Sequence, residues 1–134
     1  MEVGAGRGQN FPYYPASVTR LIAVEPSRRR RNRARAAARQ ASTQIQIVRG
    51  TAEDLPGQDG DYDAVVACLV LCSVPDQQAA LSEIRRVLRP GGQLRYFELV
   101  VSDRPAFAGL ERVLDTTLYP PLARGCHCRK SAGR

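Results

Sequence analysis

Gly4, Gly6 and Gly8 alternate along Glu2-Val3-Gly4-Ala5-Gly6-Arg7-Gly8, and an acid, Glu25, follows about 20 residues later. Glycines at this spacing let the backbone turn sharply and approach a ligand that a Cβ would block. A carboxylate has two acceptor oxygens and can receive both hydroxyls of a ribose. An acid about 20 residues beyond a glycine turn is spaced for that contact. A second acidic pair stands in Ala52-Glu53-Asp54. Glu53 or Asp54 can accept from an adenine amino group while a nearby backbone N–H donates to a ring nitrogen. Together these residues predict a site for a ligand built on a nucleoside.

The glycine spacing narrows the ligand. A dinucleotide turn reads G-x-G-x-x-G, whereas here the third glycine is already Gly8 and Gln9 follows. A phosphate loop of the G-x-x-x-x-G-K-[ST] kind is excluded because no Lys-Ser or Lys-Thr follows. A cofactor with adenine and ribose but no pyrophosphate fits the pattern better.

Other residue types offer less. Cys68 and Cys72 lie in an apolar run and read as small hydrophobes. Cys126-His127-Cys128 could supply metal ligands, but structural zinc takes four, usually at another spacing; no metal site is expected. His127 is the single histidine and a candidate general base, with Tyr13, Tyr14 and Glu98 behind it.

These residues need elements to hold them. Arg20 to Val24 reads as a buried strand ending at Glu25-Pro26. Pro26 and Ser27 open a helix running to about Ala41. Ile45 to Val48 is a second short strand, and the stretch from Thr51 to Gly60 is a loop. Asp63-Ala64-Val65-Val66-Ala67-Cys68-Leu69 lacks alternation, as a strand covered on both faces should. Pro75-Asp76 begins another helix with Asp76 at its cap and Leu81, Ile84, Val87 and Leu88 as its apolar stripe. Pro90-Gly91-Gly92 is expected to stop it and turn the chain into a strand from Gln93 to Val101. A last amphipathic helix is predicted from Pro105 to about Leu118, with an irregular basic tail over 119–134. Strands alternating with helices predict an α/β fold with a doubly wound, mostly parallel sheet and helices on both faces.

The chain has 134 residues, enough for one domain, and 43% are hydrophobic, an ordinary globular composition. The apolar run from Ala64 to Cys72 is short of the roughly 20 residues that a membrane span needs. With no secretory leader in view, a cytoplasmic protein is expected, without a membrane partner. The net charge is +7. Much of it comes from Arg28, Arg29, Arg30, Arg31, Arg33, Arg35 and Arg39, with Ala34, Ala37, Ala38 and Ala41 free to face inward. That block reads as a solvated helix face. A nucleic-acid surface is the alternative, weakened because no aromatic residue interleaves for base stacking.

Five segments, in order, resemble the class I S-adenosylmethionine-dependent methyltransferases: the Glu2–Gly8 turn, Val24-Glu25-Pro26, Gly50-Thr51-Ala52-Glu53-Asp54-Leu55-Pro56, Tyr62-Asp63-Ala64-Val65-Val66, and Arg86-Val87-Leu88-Arg89-Pro90-Gly91-Gly92 with the strand behind it. Cys68 to Val74 and Gly125-Cys126-His127 are similar to a branch that includes animal thiol methyltransferases and lies near the quinone-biosynthesis enzymes. The resemblance implies a Rossmann-like fold, S-adenosylmethionine as cofactor and a small-molecule acceptor such as a thiol or phenol. It implies that Gly4, Gly6 and Gly8 pass under the methionine part of the cofactor, with Glu2 fixing that loop. Glu25 would hold the ribose, Ala52 and Glu53 would frame the adenine, and Cys68 and Leu69 would line the pocket near the sulfonium. Arg86 to Gly92 would serve as a helix stop and not in catalysis. Family members also carry a helical segment and the first half of the central strand ahead of the glycines, and two strands beyond the present ones. The chain is therefore expected to be a partial core over 1–118, an incomplete α/β/α sandwich, either part of a longer protein or an inactive remnant.

Overall fold

The computed structural model describes residues 1–98. The expected helix from Pro105 to Leu118, the 119–134 tail and Cys126-His127-Cys128 lie outside the described residues. Five strands form one sheet: β1 (Glu2–Val3), β2 (Arg20–Val24), β3 (Gln44–Val48), β4 (Tyr62–Cys68) and β5 (Leu88–Phe97). Their order is β3-β2-β1-β4-β5, and every pairing is parallel. Two helices, α1 (Arg28–Ala38) and α2 (Gln77–Val87), complete the described elements together with short 3-10 turns at Phe11–Tyr13 and Leu71–Ser73.

Alternate residues of β2 point to opposite faces, and they enter different cores. Leu21 and Ala23 pack with Ala5, Phe11 and Ala34 under α1. Ile22 and Val24 pack with Val3, Val65, Ile84 and Val87 under α2. The sheet is thus covered on both faces, which explains why β2 and β4 show no polar alternation. The expected doubly wound parallel sheet is what forms.

Ser27 caps α1, its side chain accepting from the Arg30 N–H. Ala34 is fully buried, Ala37, Ala38 and Ala41 are packed against the same cluster, and the arginines turn outward. Arg31 is the exception: its guanidinium donates to the Glu25 and Pro26 carbonyls at 2.9 and 2.6 Å. In α2 the expected stripe is shifted. Ala80, Ile84 and Val87 are buried, while Leu81 is 45% exposed.

Pro90-Gly91-Gly92 does not end an element. Leu88 already pairs with Tyr62, and the next partners are Ala64 and Gln93. Four residues, Arg89 to Gly92, therefore stand opposite Asp63 alone. They form a bulge inside β5, the setting in which a strand accepts proline and glycine.

Candidate functional site

Pairing of Val3 with Val24 in parallel strands brings the glycine turn and Glu25 out at the same edge of the sheet. The carboxyl ends of strands are where open α/β sheets bind ligands. The Ala5 N–H donates to the Val24 carbonyl at 3.0 Å and carries the contact one residue further. Gly4, Gly6 and Gly8 all have positive φ, but their surroundings differ. A Cβ on Gly4 would lie 2.3 Å from Val70 Cγ2, and one on Gly8 would lie 2.5 Å from the Phe11 ring. A Cβ on Gly6 would meet nothing nearer than the Gly4 carbonyl at 3.9 Å.

Glu25 is 1% exposed. Its Oε2 accepts from the Gly6 N–H at 3.0 Å and its Oε1 from the Ser27 N–H at 2.8 Å. The acid ties the glycine turn to the start of α1. A carboxylate has about four lone-pair positions, so further acceptor capacity remains on the same two oxygens. Glu2 lies beneath the turn. Asn10 Nδ2 donates to its Oε1 at 2.9 Å and the Tyr14 hydroxyl to its Oε2 at 3.0 Å. Burial pushes the Glu2 carboxyl above its ordinary range, opposed by those two hydrogen bonds and the nearby terminal ammonium. Burial and the adjacent Glu2 charge push the Tyr14 hydroxyl far upward, which makes it a poor base near neutral pH.

A cleft of about 150 Å³ opens at this edge, lined by Gly4, Glu25, Ala52, Glu53, Leu69 and Val70 among others. Five of the nine cofactor residues expected from sequence therefore meet there. Gly6 stands one hydrogen bond behind it through Glu25, while Glu2 and Gly8 brace the turn. Cys68 does not join them. It faces a separate cavity of about 290 Å³ with Tyr13, Tyr14, Arg95 and Phe97. The cause is strand geometry: β4 ends at Cys68, and Leu69 turns away with φ +52°, so neighbouring residues serve different cavities.

The loop after β3 is fastened from α2. The Leu55 N–H donates to Glu83 Oε2 at 3.0 Å, and Arg86 donates to both Glu83 oxygens and to the Leu55 and Gly57 carbonyls. Those bonds hold the Glu83 carboxyl below its ordinary range. Arg86 thus ties this loop to α2. On the loop itself, Glu53 Oε1 accepts from the Asp76 N–H at 3.4 Å.

Two residues shape the cleft in ways the sequence reading did not assign, Val70 unnamed there as a site residue and Glu98 named only as a candidate base. Val70 fills the space above Gly4. Glu98 accepts from the Val70, Leu71 and Cys72 N–H groups at 2.9, 2.8 and 3.3 Å. Of the candidate bases, Tyr13 is 83% exposed, and His127 lies outside the described residues. No group of three or more His, Cys, Asp or Glu among the described residues could hold a metal ion. No described helix is long and apolar enough to cross a membrane.

Residues 1–96 match a known family of methyltransferase domains. The chain belongs to that family. The chain is 33% identical over 129 residues to a human thiol S-methyltransferase, an alignment covering 94% of this chain and 52% of the relative. It is 36% identical over 92 residues to a ubiquinone/menaquinone biosynthesis C-methyltransferase of Bradyrhizobium diazoefficiens, covering 69% of this chain and 36% of that one. A SAM-dependent methyltransferase of Thermotoga maritima superposes with a TM-score of 0.70 at 26% identity, over 94% of this chain and 54% of that chain. The YcgJ protein of Bacillus subtilis shares the fold, with a TM-score of 0.76 at 22% identity over 94% and 53% of the two chains. The chain spans about half the length of the thiol methyltransferase relatives it matches.

Proposed function

We propose that this chain forms the S-adenosylmethionine-binding part of a methyltransferase acting on a small-molecule acceptor, a thiol or a phenol of the quinone type. The observation that carries the reading is Glu25: a buried carboxylate at the end of β2, opening on the same cleft as Gly4 and the Ala52-Glu53 loop. The cleft suits the cofactor because it offers what each end needs. Glu25 retains acceptor capacity for a ribose diol, and Ala52 with Glu53 provides an apolar contact and an acceptor for a purine edge. The glycine turn brings backbone close without side chains.

The cofactor supplies a methyl group already activated on a positively charged sulfur. The protein's task is then positioning and desolvation of the acceptor, with a thiol or phenol acceptor also having to lose its proton. The acceptor class rests on the names of the thiol and quinone methyltransferases to which the chain is similar.

Calorimetric titration of the chain with S-adenosylhomocysteine tests the reading. Saturable micromolar binding is expected, and Glu25→Ala should weaken it by roughly tenfold or more, the usual scale for hydrogen bonds to a charged group. A folded chain that binds nothing, or a Glu25→Ala variant with unchanged affinity, overturns it.

A further inference from the structure

We infer that Glu98 is a positioning residue: its carboxylate clasps the loop after β4 and thereby sets one side of the cofactor cleft. The inference rests on the cleft being the cofactor site. Glu98 follows β5, 26 to 28 residues beyond its partners, and takes three consecutive backbone N–H groups, those of Val70, Leu71 and Cys72. Successive N–H groups converging on one anion form a nest, and bonds to an ionised acceptor are the stronger kind. The preceding residue is tied as well, the Leu69 N–H donating to the Phe97 carbonyl at 2.8 Å. Phe97 and Glu98 together therefore hold every residue from 69 to 72.

That loop needs holding. Leu69 adopts φ +52°, a conformation that persists in a residue of this kind only where its surroundings over-determine it. Leu69 and Val70 both line the cleft. Val70 occupies the space where a Gly4 side chain would be, so the clasp reaches the glycine turn through one packing contact.

The test uses Glu98→Ala and Glu98→Gln in the full chain, with sodium formate as a free carboxylate able to enter the vacated nest. Two readouts are taken: amide hydrogen exchange at Val70, Leu71 and Cys72, and S-adenosylhomocysteine affinity. In Glu98→Ala the three amides should exchange at least about tenfold faster and affinity should fall about tenfold, with formate restoring much of both. Glu98→Gln, which keeps one acceptor oxygen without the charge, should fall between. Should Glu98→Ala fail to fold, Glu98→Gln alone decides. Unchanged amide exchange, unchanged affinity in the face of faster exchange, or a loss that formate does not touch each overturns the proposal. If the unaltered chain binds no S-adenosylhomocysteine, the cofactor reading fails instead, and amide exchange alone decides whether Glu98 holds the loop.

Discussion

Alanine at Gly4 and alanine at Gly6 should fail in different ways. Both positions have positive φ, +67° and +58°, a conformation that costs an L-residue about 1–2 kcal/mol. At Gly4 the new methyl would also meet Val70 at 2.3 Å, and forced overpacking adds roughly 1–3 kcal/mol. Urea unfolding should therefore show Gly4→Ala to be the more destabilised, with Gly6→Ala close to the conformational cost alone. Equal losses would show that Val70 moves aside freely. The need for glycines here was legible in the sequence, because their spacing alone demands a turn. Which glycine is required by packing was not, since Val70 lies more than sixty residues away. Glu98 was missed as a structural residue for the same reason: a carboxylate gives no local sign of which backbone it will meet. Leu69 carried no sign either, leucine having no preference for positive φ.

Helix starts were legible because capping is local. Asp76 accepts from the Gln78 and Ala79 N–H groups at 2.9 and 3.0 Å through Oδ1, in the role its position after Pro75 predicts. Asp76→Ala should lower stability by about 1 kcal/mol, and Asp76→Asn should recover most of it, since asparagine caps as well. Comparing the three urea midpoints checks this; an asparagine variant as weak as the alanine one would shift the cause from the cap to the charge. Beyond such local rules the element-scale reading was less secure. Leu81 fits a helical stripe by spacing but faces outward, because Ala80, a smaller residue, takes the buried position. Pro90-Gly91-Gly92 has the composition of a turn, and only pairing with β4 reveals that the strand runs through it as a bulge.

A parallel sheet covered on both faces followed from the alternation of strands and helices, whereas the electrostatic balance of the molecule depends on burial that composition does not show. Two acids oppose one another in it. Glu2 sits in the central strand, and burial raises its folded pKa above the unfolded value of about 4.5. The folded state then holds its proton more tightly, so ionising Glu2 costs stability progressively as pH rises above about 4.5. Glu83 is the reverse. Its hydrogen bonds from Arg86 lower the folded pKa, so its contribution is present above about 4.5 and lost as pH falls through the lower folded value. Glu2→Gln and Glu83→Gln should separate the two. The melting temperature of Glu2→Gln relative to the unaltered chain should rise with pH between about 4.5 and 7, as the cost of the buried charge grows in the parent alone. The deficit of Glu83→Gln should be largest near pH 7 and shrink below pH 4.5, where Glu83 loses its charge in the parent too. Curves parallel to the parent's, for Glu2→Gln above pH 4.5 and for Glu83→Gln from pH 7 to below 4.5, would mean that neither acid couples its ionisation to folding. The α2 clamp would then be held by its bonds to the Leu55 and Gly57 carbonyls, which involve no titrating group.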